Sequence, residues 1–422
     1  MMHILSLLLL PLAAYAGGEA ASEKPAVPAE KTIAIRGGKV VWNAEAKNPV
    51  YDPGVVIFRG KKIIAVGPEK STPIPEGAEI VDATNRWVVP GIIELHNHTG
   101  AGGHGNDLHE YVYLTNPDLR MSDAVQPECV EMEADALVGG VTTVLTIPGS
   151  GNNMSGFGVL MKTGGLDAEE SIIKNPGALK IAQAGNPESY MAGVGRSLMN
   201  WSTRDQMTRG RDYTKKMKGK TKEERRKSPD YNAQLDDMVE LFENETAVAV
   251  HTQQHQLVAS TVRILNKDLK LDAFLDHSTF NGYESAPEVI KYNVPAVCGP
   301  RGFYRDPADS RVRGIMASWW AGGVRLVGTN TDAPVVPQQE LTYQAAMGVR
   351  YGFPDTQLAL RGITILAARI IKVEDRLGSL EVNKDADVVI WTGDPIDPRS
   401  RVLKAFVNGK LRYDEKKNGM LH

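Results

Sequence analysis

The sequence predicts an α/β protein in which a (β/α)8 TIM-like barrel carries a small β-sandwich domain formed from both chain ends. Two patterns in the 422 residues lead to this prediction. Both ends consist of short strand-like segments joined by tight turns, whereas the long middle alternates apolar strands with helical stretches. Such alternation is typical of parallel strands joined by crossovers, and eight strands of this kind are enough to close a barrel.

The composition is that of an ordinary globular protein and excludes several classes of function. Hydrophobic residues make up 42% of the chain and charged residues 23%, which argues against wholesale disorder. The formal net charge of −3 gives no electrostatic case for binding nucleic acid. Two cysteines, Cys129 and Cys298, are too few for a disulfide framework or a thiolate metal site. We expect a small-molecule substrate and no stable membrane span, and the composition leaves a homo-oligomer open.

The beginning of the chain resembles a signal peptide. An apolar run over residues 4–12 is followed by Ala14-Tyr15-Ala16, which has the form of a cleavage site. The run is too short to span a bilayer, but no Lys or Arg precedes it, so a buried N-terminal helix is the alternative. We expect residues 1–16 to be a signal peptide, residues 17–31 a flexible leader, and the protein to be exported to the periplasm or secreted.

The two ends of the remaining chain have the pattern of short strands and turns. In residues 32–88 the predicted strands are 32–35, 39–42, 54–59, 61–67 and 79–82. In residues 376–422 they are 386–392 and 402–411, with a type I′ hairpin signal at Asn408-Gly409. We predict that both segments form one β-sandwich, into which the middle of the chain is inserted.

Residues 89–375 are predicted to form the barrel, with eight strands. The predicted strands are 88–95, 141–147, 158–161, 178–182, 247–250, 273–275, 295–298 and 324–327. Predicted helices between them include 129–138, 234–244, 257–266 and 310–321. A basic insertion, residues 196–230, interrupts the barrel. Its most basic segment, 204–227, is either a solvated helical excursion or a lid or anion-attracting rim over the site.

Side chains that commonly bind metal ions follow four of the predicted strands. They are His96, His98, His251, His277 and Asp332. The carboxyl ends of barrel strands meet at one face, and residues two apart on a strand point the same way. Any one of these residues could be a capping or core polar group, but together they predict a divalent metal site. Imidazole and carboxylate ligands with open positions suit Zn²⁺, with Mn²⁺, Fe²⁺ and Co²⁺ as alternatives.

Three longer motifs surround these residues. They are Val89-Pro90-Gly91-Ile92-Ile93-Glu94-Leu95-His96-Asn97-His98; Gly139-Gly140-Val141-Thr142-Thr143 before Pro148-Gly149-Ser150-Gly151-Asn152; and Arg376-Leu377-Gly378-Ser379-Leu380-Glu381 before Lys384-Asp385-Ala386-Asp387-Val388-Val389-Ile390 and Gly393-Asp394-Pro395. With the strand-end residues, they resemble the metal-dependent amidohydrolase superfamily and, within it, the imidazolonepropionase-like branch. The resemblance covers nearly the whole mature chain and implies a hydrolase built from a composite β-sandwich and a TIM barrel.

The resemblance implies two metal ions in one site. The strand-end residues would divide between them, with His96, His98 and Asp332 on the first ion and His251 and His277 on the second. Metal-activated hydroxide would attack the carbonyl carbon at neutral pH. Asp332 would take a proton from the attacking water and pass it to the departing amine. A site with one ion is the alternative.

Lys180 is the candidate for a bridge between the two ions. In many enzymes of the superfamily a lysine on the fourth strand, carboxylated by CO₂, serves as this bridge, and Lys180 stands at a suitable place. An ordinary ion pair or a position at the barrel rim is the other interpretation. Some relatives carry an acidic bridge slightly further along, where this chain has Gly185-Asn186, so an acidic bridge is not expected.

The identity of residue 254 distinguishes deamination from amide hydrolysis as the predicted reaction. Deaminating relatives and imidazolonepropionase itself usually have H-x-x-E after the fifth strand, whereas this chain has Gln254 three residues after His251. Glutamine cannot exchange a proton at neutral pH. We therefore predict hydrolysis of an amide, cyclic amide or dipeptide-like C–N bond. A metal-dependent deaminase is the alternative within this chemistry, and a non-catalytic scaffold is the alternative of another class.

Further residues are candidates for substrate binding. Asn152 lies in a glycine-containing turn that could hold an anionic group or serve only as a turn. Arg301 and Tyr304, with Arg305 beside them, could hold a substrate carboxylate or form surface pairs. His104 and His109 could line the pocket or, more simply, face solvent or bind backbone. His255, four residues after His251, is expected to be an exposed helix histidine rather than a third ligand.

Overall fold

The computed structural model describes residues 30–100, 110–183, 185–191, 193–307 and 309–418. The predicted signal peptide and the leader up to residue 29 lie outside these ranges, as do His104 and His109. Within the described ranges, every helix is too short or too polar to cross a membrane.

Strands form both ends of the described chain and alternate with helices between them. The amino-terminal strands are β1 (Thr32–Val41), β2 (Val50–Arg59), β3 (Lys62–Pro68), β4 (Glu79–Asp82) and β5 (Trp87–Pro90). The middle strands are β6 (Ile92–Asn97), β7 (Val141–Thr146), β8 (Met154–Phe157), β9 (Val159–Lys162), β10 (Ile172–Lys174), β11 (Ala178–Ala182), β12 (Ala247–Thr252), β13 (Ala273–His277), β14 (Ala296–Cys298), β15 (Phe303–Arg305), β16 (Val312–Gly314) and β17 (Val327–Thr329). The carboxyl-terminal strands are β18 (Val388–Trp391), β19 (Val402–Val407) and β20 (Lys410–Asp414).

The helices lie mainly between the middle strands. They are α1 (Ala136–Val138), α2 (Ala168–Ser171), α3 (Asn186–Tyr190), α4 (Arg196–Met217), α5 (Lys222–Arg226), α6 (Met238–Phe242), α7 (His255–Val262), α8 (Ala286–Lys291), α9 (Ile315–Ala321), α10 (Leu341–Arg350), α11 (Thr356–Gly362), α12 (Ile365–Ile370) and α13 (Glu415–Asn418). A π-helical turn, Arg263–Asp268, continues α7.

Both chain ends contribute to one eight-stranded sheet, in the order β20-β19-β18-β5-β1-β2-β3, with β4 paired to β1. Strand β5 joins the two halves, because it pairs parallel to β1 and antiparallel to β18. Apolar residues from both ends, such as Ile35, Val88 and Phe406, are buried in one cluster on this sheet. The two ends of the chain therefore form one β-structure around a shared core.

Strand β1 replaces two strands that the sequence predicted separately, 32–35 and 39–42. The pairing of β1 with β2 continues through the intervening residues, with register shifts on either side of Gly38. Gly37 has φ +81°, a conformation that glycine adopts at little cost. A β-bulge at these glycines therefore keeps the strand continuous where the sequence indicated a break.

The predicted hairpin at Asn408-Gly409 is confirmed. These residues connect β19 to β20, with Val407 paired to Lys410. Their φ angles of 50° and 72° lie in the left-handed region that a type I′ turn requires.

Replacing Gly409 with alanine is expected to lower the free energy of unfolding by about 2–4 kcal/mol. The residue has φ +72°, and an added Cβ would lie 1.9 Å from the carbonyl oxygen of Gly60. Gly77→Ala is the control, because Gly77 has φ +75° but open space around an added Cβ. Urea denaturation should show a loss of about 1–2 kcal/mol for the control. Equal losses in the two variants would contradict the steric argument.

The prediction of one strand over residues 88–95 is wrong. Strand β5 ends at Pro90 and pairs with β1 and β18, whereas β6 begins at Ile92 and pairs with β7. The chain changes sheets at Gly91, whose N–H donates to the carbonyl of Asp387 at 3.0 Å. A Cβ at position 91 would lie 1.9 Å from Thr142 Oγ1, so a residue without a side chain allows this close passage.

The middle of the chain forms two further sheets, ordered β10-β9-β7-β6 and β17-β14-β13-β12-β11-β8. Strands β11, β12, β13, β14 and β17 are parallel to one another, and β6 is parallel to β7. The two sheets meet at two places. On one side β8 of the larger sheet runs into β9 of the smaller sheet through Gly158, and on the other His98 N donates to Ala333 O at 2.8 Å.

The third predicted strand is not parallel to its neighbours. Strand β9 runs antiparallel to β7, and β8 runs antiparallel to β11. Only residues 147–153 connect β7 to β8, and a parallel crossover needs about a dozen residues or more. The expectation of eight parallel strands is therefore wrong at this position, because the connection is too short to return the chain.

The strands of the larger sheet present two different faces. Leu179 and Val250 are buried in a methionine-rich cluster beneath helices α4 and α6. Because side chains alternate along a strand, Lys180, His251 and Asp276 lie on the opposite face, away from the helices. This alternation brings polar side chains from neighbouring strands together inside the fold.

The basic insertion is mostly helix α4. Its residues Met207 and Met217 are buried in the same cluster as Leu179 on β11. Most of its basic side chains face outward, and Arg204 pairs with Asp268 at 2.9 Å, whereas Arg225 is buried and pairs with Asp236 at 2.7 Å. The insertion therefore packs on the outer face of the sheet as a solvated helical excursion, which was one of the two interpretations of its sequence.

Candidate metal centre

Three of the predicted ligands meet at one point. His96 lies near the end of β6 and His98 directly follows it. Asp332 follows β17, and the Asn97–Ala333 bridge brings this segment beside β6. His96 Nε2 lies 3.0 Å from His98 Nε2, and Asp332 Oδ1 lies 3.1 Å and 3.2 Å from these two nitrogens. The three ligand atoms all lie within 4.8 Å of one another, so they could bind a single ion.

Hydrogen bonds orient two of the imidazoles. His98 Nδ1 lies 2.9 Å from the carbonyl oxygen of Ile147, and His277 Nδ1 lies 3.0 Å from that of Gly299. A carbonyl only accepts, so each Nδ1 must carry the hydrogen, and each neutral ring has its lone pair on Nε2. Both Nε2 atoms are therefore free to bind a metal ion.

His251 and His277 extend the cluster. The ring centroids of His251 and His277 are 4.1 Å apart, and those of His96 and His277 are 4.4 Å apart. Both nitrogens of His251 and Nε2 of His277 are buried without a hydrogen-bond partner among the described residues. Buried polar atoms left in this way cost free energy, and metal coordination would satisfy them. The residues present therefore fit a divalent metal ion.

Burial sets the charge state of these rings. It lowers the pKa of His98, brings that of His277 to about 4, and lowers that of His251 well below the ordinary value. These rings are therefore neutral at neutral pH, the form in which imidazole binds metal. Burial would also lower the pKa of His96, but the carboxylate of Asp276 beside it raises the pKa overall.

Acid is expected to destabilise the metal-free protein between pH 6.5 and pH 4. His277, for example, has a folded pKa of about 4 against 6.5 for an ordinary histidine, so the unfolded chain binds more protons in this range. Its contribution to stability is complete above pH 6.5 and is lost as the pH falls. Glu94 acts in the opposite sense, because burial raises its pKa from 4.5 to about 7 and its contribution declines as the pH rises.

Urea denaturation of chelator-treated protein between pH 7 and pH 5 measures this effect. We expect the His277→Asn variant to lose less stability over the same range than the unmodified chain does, because it lacks one of the groups that titrates on unfolding. Identical pH slopes for the two proteins would show that His277 does not titrate in this way.

Lys180 lies inside the histidine cluster. Its side chain is fully buried on β11, and Nζ is 3.3 Å from His96 Nε2. Burial lowers the pKa of Lys180 to about 8, although the carboxylates of Asp276 and Asp332 act against this change. A neutral amine is therefore accessible near neutral pH, and the amine lies beside the metal ligands rather than at the rim of the fold.

Asp332 has the backbone and electrostatic features of a functional residue. Its φ is 53°, and that of His277 is 66°, so two predicted ligands sit in the left-handed region, which is uncommon outside glycine. Burial opposes the charge of Asp332, but the imidazole of His96 beside it lowers its pKa well below the ordinary value. The carboxyl group is therefore ionised at neutral pH.

Glu94 is a site residue that the sequence reasoning missed. It is fully buried, its Oε1 accepts from the backbone N–H of His96 at 2.9 Å, and its Oε2 accepts from Thr331 N at 2.9 Å and Thr331 Oγ1 at 2.6 Å. It thereby ties β6 to the segment that carries Asp332. Glu94 stands two residues before His96 on the same strand, so both side chains point to one face. This spacing could have identified Glu94 from the sequence.

Asp276 and Asn330 were also missed. Both are fully buried, and the carboxylate of Asp276 contacts His96 Nδ1 while accepting from Asn330 Nδ2 at 2.9 Å. Asp276 directly precedes His277, and Asn330 lies two residues before Asp332. Polar residues this close to predicted ligands were the available signal.

The prediction that Asn152 binds substrate is not supported by its contacts. Its Nδ2 donates to the carbonyls of Glu110 at 2.6 Å and Tyr113 at 3.2 Å, and its Oδ1 accepts from Ser155 Oγ at 2.6 Å. The amide is thus used to hold the neighbouring loop, and the residue is buried. The interpretation of this segment as a plain structural turn fits these contacts.

Arg301 lies between β14 and β15, and Tyr304 lies on β15. The Tyr304 and Phe280 ring centroids are 5.7 Å apart, and the Arg301 guanidinium carbon is 5.8 Å from the Phe280 ring centroid. Arg301 is exposed and has no ion pair with a described residue, and Arg305 is exposed beside it. His255 begins α7 and bonds Ser285 Oγ through Nδ1 at 2.9 Å, away from the metal ligands.

Comparison with known proteins gives consistent similarities. The model of the amidohydrolase family matches residues 307–417, which include Asp332. Over 382 residues the chain is 25% identical to an amidohydrolase of Hapsidospora irregularis, covering 81% of this chain and 38% of that relative's length. Over 385 residues it is 24% identical to an imidazolonepropionase of Brucella anthropi, covering 83% and 89% of the two chains.

A solved structure is also similar. An amidohydrolase from Thermotoga maritima MSB8 aligns with a TM-score of 0.78 and 27% sequence identity, and the alignment covers 90% of this chain and 100% of that one.

Proposed function

We infer that this chain, which belongs to the amidohydrolase superfamily and to its imidazolonepropionase-like branch, is a metal-dependent hydrolase that cleaves a carbon–nitrogen bond. The resemblance predicted from the sequence motifs is confirmed by the family match and the similar proteins. The observation that carries the proposed function is the buried group of four imidazoles and one carboxylate, in which three ring nitrogens have no described hydrogen-bond partner.

We propose that the two middle sheets form one barrel with the site at the carboxyl ends of its strands. The passage of the chain from β8 into β9 on one side and the hydrogen bond between His98 and Ala333 on the other support this arrangement, as does the similarity to the Thermotoga maritima structure. The sheet shared by the chain ends would then be the sandwich domain, with residues 32–88 and 376–422 on either side of the barrel domain, 89–375.

We propose that His96, His98 and Asp332 hold one ion and that His251 and His277 hold a second, most suitably Zn²⁺. When bound, a divalent ion supplies a nucleophile from water at neutral pH and polarises the carbonyl of the substrate. The neutral state of three of the four histidines supports this assignment, because a protonated imidazole cannot bind metal.

Lys180 is proposed as the bridging residue after reaction with CO₂. The neutral amine would form a C–N bond to the carbon of CO₂ and release one proton, giving a carbamate anion with two oxygen ligands. The burial of Lys180 and the 3.3 Å distance from its Nζ to His96 Nε2 support this role.

Asp332 is proposed to move the proton during hydrolysis. As an ionised carboxylate it accepts a proton from the attacking water, and it then donates that proton to the nitrogen of the departing amine. Arg301 and Tyr304 would hold a carboxylate of the substrate, because a guanidinium and a phenol are good donors to carboxylate oxygens. An amide, cyclic amide or dipeptide-like substrate would carry such a group.

A substrate screen tests the proposed reaction. Metal-loaded protein should hydrolyse at least one member of a panel of dipeptides, N-acyl amino acids and lactams, and it should not release ammonia from nucleobases, because Gln254 cannot exchange a proton at neutral pH. Ammonia release from a base without amide cleavage would favour a deaminase. Substoichiometric metal after repletion together with no hydrolysis would favour a non-catalytic scaffold.

We also propose that residues 1–16 are removed on export and that the mature protein is periplasmic or secreted. The apolar run and the Ala14-Tyr15-Ala16 sequence support this proposal. Amino-terminal sequencing of protein from the culture medium and the periplasm tests it. We expect the mature chain to begin near Gly17, and recovery of uncleaved protein in the cytoplasm would contradict export.

A further inference from the structure

A buried carboxylate lies directly behind one of the proposed metal ligands. Asp276 on β13 and His96 on β6 are both fully buried, and Asp276 Oδ2 contacts His96 Nδ1. The other nitrogen of the same ring, Nε2, faces His98 Nε2 at 3.0 Å and Asp332 Oδ1 at 3.1 Å. The His96 ring therefore connects Asp276 on one side to the proposed metal site on the other.

The second oxygen of Asp276 is held by two donors. Oδ1 accepts from Asn330 Nδ2 at 2.9 Å and from the backbone N–H of His277 at 3.2 Å. Asn330 also donates to Val297 O at 3.4 Å. The carboxylate is thus fixed from β13 and from the segment after β17, and it has no freedom to turn away from His96.

His96 differs in this respect from two other ligands. The Nδ1 atoms of His98 and His277 donate to backbone carbonyls, whereas Nδ1 of His96 donates to a carboxylate. A carboxylate partner keeps the hydrogen on Nδ1 and increases the electron density available at Nε2. The structure therefore makes His96 the most strongly donating of these three rings.

We propose that Asp276 is a positioning residue that holds His96 in the tautomer whose Nε2 lone pair faces the metal, and that Asn330 holds Asp276 for this purpose. The inference rests on the proposed function, because it assumes that a metal ion occupies the site. It adds one requirement to the five ligands, namely a carboxylate that accepts from His96 Nδ1. A chain with all five ligands but without this carboxylate should bind metal less tightly.

Asparagine at position 276 would lack the required hydrogen-bonding pattern. If its oxygen faced His96, its NH₂ would meet the donor groups of Asn330 and of the His277 backbone. If its NH₂ faced His96, the ring would have to accept at Nδ1 and carry its hydrogen on Nε2, where it could not bind metal. Asn330→Asp in the same chain removes the part of the first conflict that involves residue 330, because the new carboxylate accepts from the asparagine NH₂, while the contact with the His277 N–H is unchanged.

Metal affinity measured without substrate tests the proposal. We expect Asp276→Asn to weaken Zn²⁺ binding about 10–100-fold in competition with a chromophoric chelator. The double variant Asp276→Asn/Asn330→Asp should recover at least about threefold of this loss, a rescue that a merely structural role would not produce. Asp272→Asn is the matched control, because Asp272 is exposed at the opposite end of the same strand and pairs with Lys372.

The outcomes separate the two inferences. An affinity of Asp276→Asn within about twofold of the unmodified chain would overturn the positioning role and leave the proposed function intact. Absence of Zn²⁺ binding by the unmodified chain would overturn both. If Asp276→Asn fails to fold by circular dichroism, Asn330→Ala provides the measurement, because it releases Asp276 without removing the carboxylate. It should weaken binding about 3–10-fold, and unchanged affinity would overturn the proposal.

Discussion

Replacing Asp332 with asparagine is expected to lower kcat by a factor of about 10²–10⁴ while most of the bound metal is kept. The carboxylate lies 3.1 Å from His96 Nε2 and 3.2 Å from His98 Nε2, at the centre of the proposed site. Asparagine retains an oxygen that can bind metal, but it cannot accept a proton from water or return one to the departing amine. The loss should therefore fall on turnover rather than on metal content.

The backbone conformation at position 332 should accommodate the asparagine substitution. Asp332 has φ 53°, and asparagine is among the residues that tolerate this region best, so the variant is expected to fold. Metal content by elemental analysis and kcat on the best substrate of the screen are the two measurements. Asp118→Asn is the control, because it removes an exposed carboxylate. An unchanged kcat in Asp332→Asn would contradict the proton-transfer role.

The residues of the candidate site could be predicted from the sequence because strand ends are a strong positional signal. Each of the five predicted ligands follows an apolar segment, and the carboxyl ends of neighbouring parallel strands converge. The structure brings His96, His98, His251, His277 and Asp332 together. Lys180 could be placed for the same reason, because its strand is the next one in the sheet.

The errors arose where the sequence was interpreted one segment at a time. The predicted strand 158–161, which corresponds to β9, was expected to be parallel to its neighbours, although the connection at residues 147–153 is too short for a crossover. Gly91 was placed inside a strand, because the apolar run continues on both sides of it. In both cases the residues that connect two strands, rather than the strand residues themselves, determine the observed structure.

The supporting hydrogen-bond network could not be predicted in the same way. Asp276 sits beside a predicted ligand, but its partner His96 is 180 positions away in the sequence. Asn152 has the chemistry of a binding residue, yet its amide is used by Glu110, Tyr113 and Ser155. Whether a polar side chain faces a substrate or a neighbouring loop depends on contacts that only the folded chain defines.

Replacing both His251 and His277 with asparagine is expected to lower the bound metal from two ions per chain to one and to reduce hydrolysis by at least about 100-fold. The two rings, with centroids 4.1 Å apart, would hold the second ion, whereas His96, His98 and Asp332 would remain. Three nitrogens of this pair are buried without a described hydrogen-bond partner, so coordination would be their main interaction. We therefore expect the double variant to lose one ion and to retain the other.

Elemental analysis of the metal-replete proteins measures the number of ions bound per chain. His255→Asn is the matched control, because His255 lies four residues after His251 but bonds Ser285 at 2.9 Å, and it should keep both ions. If the unmodified chain binds one ion and the double variant binds none, all five ligands serve a single ion and Lys180 has no bridging role. If the double variant keeps two ions, His251 and His277 are not ligands, and the binuclear assignment is wrong.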